Sequence, residues 1–284
     1  MKQIILSVAA LALVTACETS SGDYTQESKA DIQLYAMNCG HISSPDFAIF
    51  GSEGEYDGKA AELAVMCFLI RHPAGDFLWD TGMADALNAL PDGQVIDGGA
   101  VLTVPVTLES QINSLGLNFE DIEYFSVSHA HFDHVGNVGK LTNSTLLVQE
   151  AEYDHMFAEG EAVFVNRDLL APLKNNKTVK FTGDHDVFGD GRVVITSAPG
   201  HTPGHSVLFV DLANEGPVYL TGDLFHQERS RTEKIVPVIN FSKPQTLASI
   251  ELFEANVTAR NARVIIQHSV EEQERLPTLP AFLD

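Results

Sequence analysis

The chain has 284 residues, 44% of them hydrophobic, with three cysteines and a formal net charge of −22. That length and apolar content suit a folded globular chain and exclude a disordered or fibrous one. Seventeen basic against thirty-nine acidic residues would repel phosphate backbones and anionic head groups, which argues against nucleic acid as a partner. The first element in chain order is an apolar run from Ile4 to Val14 behind Lys2, followed by small residues up to Cys17. It is too short to span a bilayer and has the form of a secretory signal.

Within that leader, Val14-Thr-Ala-Cys17 resembles the bacterial lipobox, in which the cysteine is lipidated and becomes the first mature residue. Ordinary signal cleavage near Ala16 is the alternative, and either route exports the chain. The expected organisation is a lipoprotein-type signal peptide over 1–16, a flexible polar tether over 17–30 starting at Cys17, and one folded domain over 31–284. The expected location is the periplasm or the outer membrane of a Gram-negative-type bacterium, with membrane contact only through a lipid on Cys17. Cys39 and Cys67 remain; they form either a disulfide or two buried thiols. Neither has a CxxC partner, which argues against a thiolate zinc site.

From residue 31 the pattern is strand-rich with helices between strands. Strands are predicted over 31–38 and 62–71, the second almost wholly apolar and so buried on both faces. A short strand over 77–80 follows the turn at Pro73-Ala-Gly75, giving a hairpin. A helix over 107–115 closes at Gly116, and a strand over 122–128 runs straight into Ser-His-Ala-His-Phe-Asp-His at 128–134. Then come a strand over 145–149, a helix over 150–157, and strands over 178–181, 192–196, 206–211 and 218–221. A helix over 244–260 carries Leu247, Ile250, Phe253 and Val257 as an apolar stripe, and a last strand covers 264–267.

The polar residues at the ends of these strands carry the chemistry. Imidazole nitrogens and carboxylate oxygens are natural ligands for zinc and similar ions. His129, His131, Asp133 and His134 crowd one loop, and alternation along an extended segment would sort them into two sets facing two ions. His201, Asp223 and His268 each end another apolar strand and offer the further ligands that two metals require.

Taken together, His129-Ala-His131-Phe-Asp133-His134, Pro199-Gly-His201-Thr-Pro-Gly-His205, Thr221-Gly-Asp223 and the late His268 resemble the metallo-β-lactamase superfamily. The resemblance covers about residues 31–284 and includes Phe77-Leu-Trp-Asp-Thr-Gly-Met83. It implies an α/β fold, an αβ/βα sandwich of two mixed β-sheets with helices on the outer faces. It also implies two Zn2+ ions, other divalent metals being an alternative. His129, His131 and His201 would hold one ion, Asp133, His134 and His268 the other, and Asp223 would bridge them. A metal-bridging hydroxide would then attack a carbonyl carbon.

Within the superfamily, His131 stands where flavodiiron proteins carry an acidic residue, and the acidic tail after His268 is unlike the basic one of glyoxalase-type thioesterases. The resemblance is nearest to quorum-quenching N-acyl homoserine lactonases, which implies opening of a small-molecule lactone ring. Hydrolysis of another lactone, a thioester or a β-lactam is the enzymatic alternative, and metal binding without turnover the non-enzymatic one. One departure is His226, which replaces a tyrosine common in such lactonases three residues after the bridging aspartate. Neutral His226 would hydrogen-bond the substrate's carbonyl or leaving-group oxygen; a solvated loop histidine is the bland alternative. Phe47, Ile49 and Phe50 are candidate lip residues for an acyl chain, with 101–106 nearby, and Asp80 is expected to support a metal-bound histidine from behind. His72 and His205 are read as supporting or structural. Monomer and homodimer both stay open.

Overall fold

The computed structural model describes residues 32–160 and 162–284, together with Met1. The expected signal peptide beyond Met1, the tether at 17–30 and the lipidated Cys17 lie outside the described residues.

Strand β1 (Gln33–Ser44) pairs antiparallel with β2 (Ala61–His72), and β2 with β3 (Gly75–Trp79). Two short strands, β4 (Gln94–Val95) and β5 (Val101–Thr103), extend this meander beyond β1. After helix α1 (Leu108–Ser114), strands β6 (Tyr124–Ser126), β7 (Thr145–Gln149) and β8 (Thr178–Phe181) add in parallel beyond β3. Helices α2 (Glu150–Phe157) and α3 (Arg167–Leu170) connect β7 to β8. The sheet therefore has eight strands in the order β4-β5-β1-β2-β3-β6-β7-β8.

A second sheet follows. β9 (His185–Asp186), β10 (Val193–Ser197), β11 (Ser206–Asp211) and β12 (Pro217–Leu220) are antiparallel neighbours. Helices α4 (Glu228–Thr232) and α5 (Lys243–Arg260) then lead to β13 (Arg263–Ile265), which lies parallel to β12, and α6 (Val270–Arg275) comes last. No helix among the described residues is long and apolar enough to cross a membrane.

The core explains why β2 is apolar throughout. Its residues Ala64, Met66, Phe68 and Ile70 pack with Ile195, Leu208, Val210 and Leu220 of the second sheet, while Leu63, Val65, Cys67 and Leu69 face Leu108, Ile112 and the opposite layer. A strand covered on both sides has no polar face to show. On the outer side of the second sheet, Ile250, Phe253 and Val257 of α5 pack against Phe209, Tyr219 and Ile266. Ser242 caps α5 by accepting from the Gln245 N–H, and Asn261 ends it in the left-handed region at φ 49°. Two mixed sheets face to face with helices outside are the expected α/β sandwich.

Cys39 and Cys67 form a disulfide between β1 and β2, Cα to Cα 5.8 Å. Gly82, at φ 63°, lies against it; a Cβ there would overlap Cys39 Cβ. This close approach seats the Asp80–Met83 loop on the disulfide, at the root of the site.

The largest departures from expectation are the short strands. β4, β5 and β9 have two or three residues each, too few to show a period, and β1 runs on to Ser44 because β5 pairs with its second half.

Candidate metal centre

The strand-end residues converge at one edge of the sandwich. His129–His134 follow β6, His201 lies between β10 and β11, Asp223 sits in a short turn after β12, and His268 follows β13. All seven expected ligands are buried. Ligand-capable atoms of His129, His131, His201 and Asp223 lie within 4.8 Å of one another, as do those of Asp133, His134 and His268.

Asp223 joins the two sets through separate oxygens. Its Oδ2 is 3.6 Å from His129 Nε2 and 3.3 Å from His201 Nε2, while its Oδ1 is 3.0 Å from His134 Nε2 and 2.9 Å from His268 Nε2. Asp133 Oδ2 stands 3.7 Å from both His134 Nε2 and His268 Nε2. The division matches the expected one, but its cause differs. Residues 131–134 are not extended: the His134 N–H donates to the His131 carbonyl at 3.0 Å, and this turn swings Asp133 and His134 to the second set.

The far ring nitrogens are held by acceptors, which leaves the inner ones with lone pairs directed inward. His134 Nδ1 donates to Asp80 Oδ2 (2.9 Å), His201 Nδ1 to Asn240 Oδ1 (2.9 Å) and His268 Nδ1 to the Ala64 carbonyl (2.7 Å). His129 Nδ1 lies 3.0 Å from Ser128 Oγ. Asp80 takes the place expected of it, accepting in addition from the Ser128 N–H at 2.6 Å and Gln267 Nε2 at 2.9 Å. Its φ of 59° is a left-handed conformation, kept by these three contacts. His205 donates Nδ1–H to the Ala198 carbonyl and accepts from the Asp223 N–H at 2.9 Å, so it supports Asp223. His72 instead pairs with Asp190 at 3.0 Å, away from the centre.

Two loops of ligands are pinned by a residue the sequence did not mark. Glu152, on α2, accepts from the Ala130 N–H (2.8 Å), Thr202 Oγ1 (2.7 Å) and the Gly204 N–H (2.9 Å). Burial raises its pKa, against the pull of those donors. Nothing in Glu150-Ala-Glu-Tyr separates this glutamate from a solvated helix residue.

The electrostatics call for positive charge. Burial and then the neighbouring imidazoles hold His129 and His131 well below the usual histidine value. Burial, the largest influence, opposes charge on His134 and His268 too, but the carboxylates around them, Asp223 first and then Asp80 and Asp133 for His134 and Asp133 for His268, together outweigh it and raise both. Burial would raise Asp223; the surrounding histidines, His268 first, drive it well below the usual carboxylate range. Meanwhile His129 Nε2, His134 Nε2 and Asp223 Oδ1 are buried without a well-aligned hydrogen bond, His134 Nε2 and Asp223 Oδ1 being ion-paired at 3.0 Å but not in hydrogen-bond alignment. Orphaned lone pairs around a buried carboxylate suit divalent cations bound by nitrogen and oxygen.

His226 is not a solvated loop residue. It is 2% exposed, its Nε2 lies 3.1 Å from Asp223 Oδ2, and its ring is stacked with His268. Burial lowers its pKa to about 4, so it is neutral at pH 7. Phe50 meets it edge-on at 4.6 Å between centroids.

A cavity of about 80 Å³ opens on the centre, walled by Ile49, Phe50, Ile96, Phe132, Phe164 and Ile239 beside the ligands. Ile49 and Phe50 therefore line it as expected. Phe47 does not: it is 1% exposed and stacks beneath Phe50 at 4.1 Å, a support for the lip and not part of it. Within 101–106, Leu102 reaches the cavity. Phe132, Phe164 and Ile96 were missed because single apolar residues in loops carry no period.

A family model described as the metallo-beta-lactamase superfamily matches residues 60–280. The chain is 30% identical to the N-acyl homoserine lactonase AttM of Rhizobium radiobacter over 263 residues, 89% of this chain and 98% of that one. It is 30% identical to an N-acyl homoserine lactonase of a Bacillus species over 231 residues, covering 80% of this chain and 89% of that one. Among solved structures, an N-acyl homoserine lactone hydrolase with N-hexanoyl-L-homoserine bound at its catalytic metal centre superposes with a TM-score of 0.76 at 26% identity. That superposition covers 88% of this chain and 98% of the other.

Proposed function

This chain belongs to the metallo-β-lactamase superfamily, and from that premise we propose that it hydrolyses N-acyl homoserine lactones, opening the lactone ring and so quenching quorum signals. The observation that carries the reading is the division of Asp223's two oxygens between two sets of ligands beside an apolar cavity. Relatives matching 89% and 80% of this chain are N-acyl homoserine lactonases.

His129, His131, His201 and Asp223 would hold one metal ion and Asp133, His134, His268 and Asp223 the other. Zinc is the proposed metal, supported by the imidazole and carboxylate donor set and the lack of hydrated oxygen-only ligation. When bound, the pair would supply Lewis acidity, lowering the pKa of a water toward neutrality and polarising a carbonyl. The chain's own residues do the rest. Asp223 Oδ2 and His226 Nε2, 3.1 Å apart, form the pair through which the proton leaving the attacking water reaches the ring oxygen as its bond to the carbonyl carbon breaks. Ile49, Phe50, Ile96 and Phe164 exclude water and take up the acyl chain.

Export is part of the same proposal, with residues 1–16 as signal peptide, 17–30 as tether and Cys17 as the lipid-anchored residue of a periplasmic or outer-membrane lipoprotein. The apolar leader and the Cys39–Cys67 disulfide support it, since structural disulfides belong to oxidising compartments.

The test is a comparison of kcat/KM for N-hexanoyl homoserine lactone, a penicillin-type lactam and a thioester, using the metal-loaded protein. The lactone should lead by more than about 100-fold. Parity, or a lead for lactam or thioester, would overturn the reading.

A further inference from the structure

The cavity at the metal centre shares Ile96, Asp97, Leu102, Phe132 and Phe164 with a larger groove of about 700 Å³. The path between them follows the chain. Val165 pairs with His131 across an isolated bridge, and the Phe132 N–H donates to the Phe164 carbonyl at 3.0 Å. Two residues further, about 7 Å of chain, Arg167 lines the groove.

Arg167 is anomalous for such a wall. Its Nε is buried without a hydrogen-bond partner, and the described residues offer its guanidinium neither hydrogen bond nor ion pair. A guanidinium carries five N–H donors and no acceptor, so Arg167, half-buried at the groove wall with its outer donors unmet by the described residues, offers them to an acceptor brought in by the ligand. Exposed Asp97 and Asp168 line the same groove, and a negatively charged tail would meet two carboxylates there. A neutral oxygen is the acceptor that satisfies Arg167 without that repulsion.

We propose that Arg167 reads an oxygen substituent on the acyl chain, so that the preferred substrates carry a keto or hydroxyl group on the tail in place of plain alkyl. This rests on the lactonase reading and narrows its substrate class. Hydrogen bonds to a charged group discriminate by roughly 10- to 100-fold, and the partial exposure of Arg167 places the effect near the lower figure.

The experiment measures kcat/KM of the metal-loaded protein on N-octanoyl, N-(3-oxooctanoyl) and N-(3-hydroxyoctanoyl) homoserine lactones, for the wild type and for Arg167→Met and Arg167→Gln. The wild type should favour the better oxygenated chain by about tenfold. The ratio should fall to near one in Arg167→Met and stay intermediate in Arg167→Gln. A wild-type ratio near one, or the same ratio in wild type and Arg167→Met, overturns the proposal. Should none of the lactones be hydrolysed, the lactonase reading fails by itself, and equilibrium binding of the ring-opened N-octanoyl and N-(3-oxooctanoyl) homoserines decides the role of Arg167. A binding preference lost in Arg167→Met supports that role, and equal binding of both ligands by the wild type overturns it.

Discussion

His131 Nδ1 and His201 Nε2 face each other across 3.1 Å, while the outer nitrogen of His201 donates to Asn240 Oδ1. With Nδ1–H so committed, His201 presents a lone pair toward a second imidazole nitrogen, an arrangement that a shared cation stabilises. Asn240 thereby sets the tautomer of a candidate ligand. Asn240→Ala should weaken one of two metal-binding events by about 10- to 100-fold and leave the other nearly unchanged. A chelator-competition titration with Zn2+ checks this; two events of unaltered affinity would remove Asn240 from the account.

Asp80 plays the corresponding part on the other side, receiving His134 Nδ1, Gln267 Nε2 and the Ser128 N–H. In Asp80→Asn an amide N–H would face one of those donors. The same titration should show the second event weakened, and urea unfolding of the metal-free protein should show a loss of about 2–4 kcal/mol. A variant as stable as the wild type with both metals bound normally would contradict this.

Glu152→Ala strands three buried donors, on Ala130, Thr202 and Gly204. The expected cost is about 3–5 kcal/mol in urea unfolding, and Glu152→Gln should recover part of it because one acceptor oxygen remains. A loss under about 1 kcal/mol would mean that neighbouring atoms or water replace the carboxylate.

For His226→Phe, the Nε2 beside Asp223 Oδ2 disappears while the ring plane can be kept. A kcat/KM lower by about 10- to 100-fold, with metal content of two ions retained, is the expected result. Full activity would exclude the proton-transfer role, and loss of one ion would make His226 a ligand instead.

Asp76 gives a test in pH. Burial raises its carboxyl above the ordinary 3.8 despite the Arg71 ion pair at 3.2 Å. Between 3.8 and the raised value the folded chain holds a proton that the unfolded chain has released, so stability from this group is present below the window and falls as pH rises through it. The unfolding free energy of wild type minus that of Asp76→Asn should accordingly decrease with rising pH just above 3.8 and level off beyond. An increase over that range would show that the ion pair, not burial, governs the group.

How much of this was legible in the residues depends on period and position. β2 stood out as an apolar run and α5 by its stripe, because burial on two faces or one writes itself into the side chains. The candidate ligands stood out because His129, His201, Asp223 and His268 each end an apolar strand. The turn that sorts Asp133 and His134 did not, since its cause is a backbone hydrogen bond from His134 to His131. Glu152, Asn240 and Arg167 were equally hidden: Glu152 and Arg167 are polar residues in polar segments, Asn240 is a lone polar residue in the apolar stretch Ile235–Phe241, and only the packing of distant loops gives each its place. Phe47 shows the converse, an aromatic residue assigned to the lip that packing places one layer beneath it.

The most direct test is the identity of the product. Metal-loaded protein incubated with N-hexanoyl homoserine lactone and followed by mass spectrometry should yield one product heavier by a single water, N-hexanoyl homoserine, with no hexanoic acid released. Release of hexanoic acid and free homoserine lactone, or no product from protein carrying two metal ions, would contradict the account.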